Sequence, residues 1–422
     1  MGPKSSLLKY KQALGPGILF ASTAIGVSHL VESTSAGAEY SFGLLWAVLL
    51  ANIFKYPFFE FGTRYALATG KSLIDGYHSI GKWMFYLYLF LTLSTMFFVA
   101  AAVGAVTSGF LDALFGITEK VGAYGSLLTT TALFMVCILI LFKGKYTALE
   151  NLIKILGIVL LVTTITAFGL VLYQGPTGSE VSFISPPLMG EFSALPFLIA
   201  LMGWMPTAVD LSAWNSLWTL ERQKKMDGKI SLNASLLDFN LGYFISTLLA
   251  VCFLTLGAFL LYHSGEGLPL GKASFANGII GLYTQVIGEW SYLIIAAAAF
   301  SIMFGTCIAV FDGYARTAER IVSIKLNKEM SSAKPYQLCV ILTAIGAYLV
   351  VFFFSSNLKL LIDLAMILSF VIAPVIAVAN LYLVTGDRVR SEYHPPRWLF
   401  ILAILGILFL GVFTVVFLMQ IL

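Results

Sequence analysis

Charge is what this sequence has least of. Asp, Glu, Lys and Arg together make 11% of the 422 residues, against 59% hydrophobic. Soluble domains carry about 25% charged residues, so an ordinary soluble fold is excluded and a polytopic membrane protein is expected. Cysteine is scarce as well. Cys137, Cys252, Cys307 and Cys339 all lie in apolar runs and form no CxxC pair, which favours small buried hydrophobes over a metal or redox role. Only four histidines are present, and HExxH, GxSxG and Walker patterns are absent. An enzyme needs a nucleophile with its base, or a metal with an open position. No enzymatic activity and no bound cofactor are therefore expected.

What remains is apolar sequence in long runs. A membrane helix takes about 20 mostly apolar residues. On that ruler spans fall at roughly 14–40 (broken), 43–68, 83–110, 122–142, 147–173, 193–219 (broken), 235–262, 276–310, 336–354, 358–385 and 397–420, about eleven in all. The fold class expected is all-α and integral to the membrane, one transmembrane domain over residues 1–422. The opening MGPKSSLLKYKQ has the outline of a signal peptide, but the Gly-Pro break right after it favours a retained first helix. Placing the N-terminus in the cytoplasm puts most basic residues inside, including Lys4, Lys9, Lys11, Arg64, Lys71, Arg222, Lys224, Arg316, Arg320, Arg388 and Arg390. This positive-inside bias gives a cytoplasmic N-terminus and an extracytoplasmic C-terminus in the cell membrane. It also explains the basic loops without any nucleic-acid partner. The expected partners are the lipid bilayer and a transported cation or small solute, with the protein a monomer.

Two of these spans cannot be plain helices. Leu14–Tyr40 is interrupted by Gly15, Pro16, Gly17, Gly26 and Gly37 and carries Ser28, His29 and Glu32 in its middle. Phe192–Leu220 is punctuated by Pro196, Gly203 and Pro206, with Asp210 and Asn215 following. Pro206 removes a backbone donor and clashes with the preceding turn. Backbone freed at membrane depth is tolerated only within protein or along a wet cavity. Each break opens a block of five spans, so inverted halves at approximately 14–174 and 193–385 are expected, with an extra helix at 397–420. Interrupted spans at matching positions point to a secondary transporter with its site between the breaks.

At these residues a family resemblance enters. LGPGILFASTAIG with SAGAEYSFGLLW resembles the opening of the Nramp (natural resistance-associated macrophage protein) divalent-metal transporters, and Met205-Pro206 is similar to that family's Met-Pro-His stretch. The resemblance implies a LeuT-type fold of five plus five spans with helices 1 and 6 broken. The chain departs from the family where metal would bind. The Asp-Pro-Gly-Asn positions are Gly26, Val27, Ser28 and His29, the histidine of the second motif is Thr207, and the third span lacks the acidic residues the family uses for protons.

Two sites are chemically reasonable on this scaffold. A metal site would draw on His29, Met205 and Asp210 for nitrogen, sulfur and oxygen, with Gly26, Ser28, Glu32 and Thr207 completing the substrate-binding set. Glu32 would share the face of His29 at i+3. In the second reading the same breaks hold a small polar solute. A coupling ion would then sit at Ser301, Thr306 and Asp312, since broken helix ends suit sodium. Each residue also has a plainer role: packing for His29, gap-filling for Met205, a helix cap for Asp210, backbone bonding for Ser28 and Thr207, pairing with Arg316 for Asp312. Lys55 with Glu60, and Glu150 with Lys154, read as helix-surface pairs near the interface. Asp238 and Asp363 are candidate proton-path acids. The expected function is a secondary transporter moving a probable-valence-two metal cation through a non-standard site; the alternative is a sodium- or proton-coupled solute transporter.

Overall fold

The computed structural model describes residues 15–143, 146–176, 181–183, 195–226, 230–262, 272–328, 333–354 and 357–421. Lys4, Lys9 and Lys11 lie outside the described residues, as do the first positions of both broken spans. Among the described residues there is helix and no strand. The first crossing consists of α1 (Pro16–Ala24), a π-helical stretch Ser28–Ser33 and α2 (Thr34–Tyr40). Next come α3 (Leu45–Thr69), the short α4 (Leu73–Ile80), α5 (Lys82–Phe115), α6 (Gly125–Lys143) and α7 (Tyr146–Gln174). The second broken crossing is α8 (Leu195–Trp204), a 3₁₀ turn Val209–Leu211 and α9 (Ser212–Lys225). The chain continues with α10 (Leu232–Leu260), α11 (Lys272–Ile287), α12 (Tyr292–Leu326), α13 (Lys334–Phe353), α14 (Leu358–Leu383) and α15 (Arg397–Ile421).

Nine helical stretches among the described residues are long and apolar enough to cross a membrane, α8 and α9 being taken together. The first crossing is too fragmented to be among them, and α3 carries Lys55, Glu60 and Arg64 close together. One expected span is corrected. The apolar stretch 276–310 divides at Gly288, whose φ of 114° ends one helix and lets another start in a new direction. α11, at 16 residues, is about 24 Å long and falls short of a bilayer core of about 30 Å. The crossing is made by α12 instead, 35 residues long.

Both broken crossings are wedged into the bundle by glycine. A Cβ on Gly242 of α10 would stand 2.1 Å from the Gly17 carbonyl oxygen, and one on Gly37 would stand 2.0 Å from that of Leu254. α1 and α2 therefore touch α10 backbone to backbone. In the same way a Cβ on Gly203 of α8 would stand 2.5 Å from the Met366 carbonyl oxygen of α14, and one on Gly62 of α3 would stand 2.4 Å from that of Ser212 in α9. Inside a bilayer, helices gain little from burying apolar groups against each other, and small residues supply the close packing that holds them.

The start of α1 is finished by another helix. Pro16 sits in the first turn, where its missing N–H costs nothing. The Asp238 carboxylate of α10 accepts hydrogen bonds from the N–H groups of Gly15 (3.2 Å) and Gly17 (2.6 Å). Asp238, a candidate proton-path acid on sequence, is thus a cap supplied in trans. Asp238→Ala is expected to lower stability by about 1–2 kcal/mol, the usual range for a lost helix cap, read as an earlier thermal unfolding transition in detergent.

Candidate functional site

The two breaks face each other across a cavity of about 20 Å³, room for roughly one water-sized guest. The first break lines it with Thr23, Val27 and Ser28, the second with Trp204, Thr207, Ala208 and Leu211. Val99 and Val103 of α5 and Thr306 and Val310 of α12 close the sides. Three expected site residues, Ser28, Thr207 and Thr306, therefore meet here. Their chemistry is hydroxyl and no carboxylate lines the space.

Ser28 ties the breaks together. Its hydroxyl lies 2.9 Å from the Ala24 carbonyl, 3.2 Å from that of Pro206 and 2.8 Å from His29 Nδ1. Thr306 closes the end of α1: its hydroxyl points at the carbonyls of Ser22 (2.7 Å) and Ile25 (3.1 Å), freed where the helix stops. That approach needs glycine at 26, where a Cβ would stand 2.8 Å from Thr306 Cγ2. Gly26 is thus a spacer for Thr306. The Thr207 hydroxyl has no hydrogen-bond partner among the described residues and borders the cavity.

The expected metal set is not assembled, and the reason is local. Residues Ser28–Ser33 wind as a π-helix, whose i→i+5 closure turns His29 toward α10. There Nε2 lies 2.9 Å from the Ser246 carbonyl and 3.1 Å from its hydroxyl. In either tautomer the bare ring nitrogen faces a serine hydroxyl, so no lone pair is offered to a guest. The i+3 relation that placed Glu32 beside His29 belongs to an α-helix and fails in this winding; Glu32 is buried but does not line the cavity. Met205 joins Pro206 through a cis peptide bond and is enclosed in an apolar core shared with Phe58, Phe370 and Ile376. Asp210 is buried in the 3₁₀ turn without capping α9, and its backbone carbonyl accepts from the Tyr88 hydroxyl at 3.4 Å. Among the described residues no three His, Cys, Asp or Glu side chains gather to hold a metal ion.

Of the expected coupling-ion residues, Thr306 alone borders the cavity. Ser301 is half-buried earlier on α12. The Asp312 carboxylate accepts from Trp218 Nε1 (3.0 Å), Arg316 Nε (2.8 Å) and the Tyr336 hydroxyl (2.7 Å), a structural network. Asp363 lies half-buried near the start of α14, away from the cavity lining. The Lys55–Glu60 surface pair is also corrected. Glu60 is buried and pairs with Arg64, while Lys55 is fully buried and donates to the carbonyls of Met202, Gly203 and Thr207. For Glu150 and Lys154 the side chains lie outside the described residues. Lys55 is the site residue that sequence reasoning missed. The signal was there: a lone lysine in the apolar run LLANIFKYPFF, and an ionisable group at membrane depth points to function.

An open polar vestibule of about 520 Å³ is lined by Lys71, Asp75, Glu221, Lys224, Arg316 and Arg320, among others. Ion pairs Arg320–Asp75 (2.6 Å) and Arg316–Glu221 (3.6 Å) tie α12 to α4 and α9. These are segments that the distribution of basic residues assigns to one side of the membrane.

The natural resistance-associated macrophage protein-like (Nramp) family model matches residues 17–420. The chain belongs to the Nramp family. It is 35% identical over 412 residues to an uncharacterized protein of Pasteurella multocida, covering 97% of this chain and 92% of that one. A divalent metal cation transporter of Pediococcus pentosaceus is 22% identical over 318 residues, covering 72% and 69%. Among solved structures, a manganese transporter of Eremococcus coleocola superposes with a TM-score of 0.73 at 13% identity, covering 99% of this chain and 87% of that one. The fold is the LeuT-like one of these transporters, and the chain is a multi-pass membrane transporter of the Nramp family. Within that frame, two of the Nramp metal-motif positions, Val27 and Ser28, line a largely apolar cavity bordered by four hydroxyl residues, while His29 is committed to packing against α10. His29→Ala should therefore act first on stability. It removes a buried ring and strands the serine partners, a loss of roughly 2–4 kcal/mol, measured by thermal unfolding in detergent.

Proposed function

We propose that this Nramp-family chain is a secondary active transporter carrying a metal cation, divalent by preference, across the cell membrane by alternating access. Its cargo is held between the two breaks, which open two inverted halves, and its N-terminus is cytoplasmic. The observation that carries the reading is that both interrupted crossings line the same buried cavity, each with hydroxyl residues, Thr23 and Ser28 from the first and Thr207 from the second. Carbonyl ends of broken helices bear partial negative charge and attract cations. The cargo class follows the named relatives, a divalent metal cation transporter and a manganese transporter. The ligands differ from a carboxylate site: the hydroxyl residues Ser28, Thr207 and Thr306 border the cavity, and the freed carbonyls beside it are held by Thr306, Ser28 and Lys55 until cargo arrives. Hard cations accept such oxygens, with affinity falling as ligand charge is lost, to on the order of 10⁻⁴–10⁻³ M.

A second reading, a small polar solute moved with sodium or protons, is favoured by one feature. Thr306 spans two freed carbonyls at the end of α1, and a hydroxyl with two carbonyls is a fitting start for a sodium site.

Uptake into proteoliposomes separates the two. Under the first reading, Mn²⁺ uptake is saturable, independent of a sodium gradient, and reduced about tenfold by Thr207→Val, which deletes one oxygen worth about 1.4 kcal/mol. Absence of Mn²⁺ uptake together with sodium-driven solute uptake would transfer the assignment to the second.

A further inference from the structure

Lys55 stands midway along α3 and is fully buried. From one ammonium it donates to three carbonyls, Met202 at 2.5 Å, Gly203 at 2.8 Å and Thr207 at 3.2 Å. The first two end α8, and the third lies just past the break. The last carbonyls of a helix have no partner within it and carry its negative end. Here they converge on one point, and a cation sits there. Thr207 links that point to the cavity, since its carbonyl holds the ammonium while the residue lines the space between the breaks.

The surrounding acids leave this cation to the carbonyls. Glu60, on the same helix, is engaged by Arg64 Nε at 2.9 Å and by a second guanidinium nitrogen. Asp238 of α10 caps α1. Asp210 is buried in the 3₁₀ turn, three residues past Thr207, with no ion pair to Lys55 among the described residues. A lysine ammonium is a compact charge on a flexible stem and can withdraw from the carbonyls it holds.

We propose that Lys55 is the resident cation of the transport site: its ammonium holds the carbonyl end of α8 when no cargo is bound, and cargo cation and ammonium exclude one another there. This rests on the reading of the chain as a cation transporter. It accounts for a cation site without a carboxylate ligand, because the empty site keeps its own positive charge. A cargo ion replaces that charge instead of adding to it.

The test compares wild type with Lys55→Met and Lys55→Gln, all full-length and purified in detergent. Lys55→Gln keeps an N–H donor for the carbonyls without the charge, and decides the matter if Lys55→Met folds poorly. Mn²⁺ is titrated by calorimetry and by thermal unfolding, and wild-type Mn²⁺ uptake is measured in proteoliposomes. The expected result is Mn²⁺ binding at least tenfold tighter in both variants than in wild type, with Mn²⁺ restoring the thermal stability the substitutions remove. Unchanged Mn²⁺ affinity, or lost stability that Mn²⁺ does not restore, would make Lys55 a helix cap only and overturn the proposal. If wild type still takes up Mn²⁺ in that case, the transport reading stands. Variants that bind Mn²⁺ while wild type neither binds nor transports it support the exclusion and remove Mn²⁺ as the wild-type cargo. No binding in any of the three forms overturns both.

Discussion

Backbone hydrogen-bonding groups at membrane depth have no water to turn to, and this structure depends on how they are answered. Two helices stop midway, and each stop exposes carbonyls or N–H groups that would cost several kcal/mol apiece in hydrocarbon. The answers come from side chains far away in sequence. Asp238 takes the N–H groups at the start of α1, Thr306 caps the carbonyls at its end, and Lys55 gathers those at the end of α8. Ser28 reaches from one break to the Pro206 carbonyl of the other. The first three bonds fix a broken segment to a continuous helix and the last fixes the two breaks to each other, so that the cavity's shape is set by the breaks and their neighbours.

Close packing makes those bonds possible. Helix ends come within reach of single side chains because glycines remove the atoms that would hold the backbones apart, at Gly17 against α10, at Gly203 against α14, and at Gly26 against Thr306. The cavity left between the breaks is correspondingly small and its polar groups are mainly hydroxyls. Charge borders this region at Lys55, which holds the carbonyls of the second break, that of the cavity-lining Thr207 among them. In this Nramp-family chain, whose metal-motif positions read Gly26, Val27, Ser28 and His29, the second break is thus held by a buried ammonium on helix-end carbonyls.

Much of this was legible in the sequence. Low charge, long apolar runs and paired interruptions near Gly26 and Pro206 indicate a helical membrane transporter with a site between two breaks, because each is a direct consequence of bilayer solvation. Ser28, Thr207 and Thr306 border the cavity for the same reason: small hydroxyl residues beside a break face whatever the break opens onto. The assignments that failed all needed a direction. His29 points to α10 because the segment winds as a π-helix, which no residue pattern announces. Glu60 pairs with Arg64 and not Lys55 because i, i+4 outranks i, i+5 on a regular helix. The apolar stretch 276–310 hid a change of direction at Gly288, since a single glycine in a membrane span is too common to mark a boundary.

The sequence by itself determined the solvent, the helical class, the places where helices stop and the family, since these depend on composition and on order along one strand of chain. Tertiary structure alone decided which distant side chain satisfies each freed backbone group. That choice set Asp238 as a cap, His29 as a packing residue and Lys55 as the cation at the end of α8. The physical reason is that a helix end states only what it lacks, a donor or an acceptor; what supplies it depends on which helix the packing brings alongside.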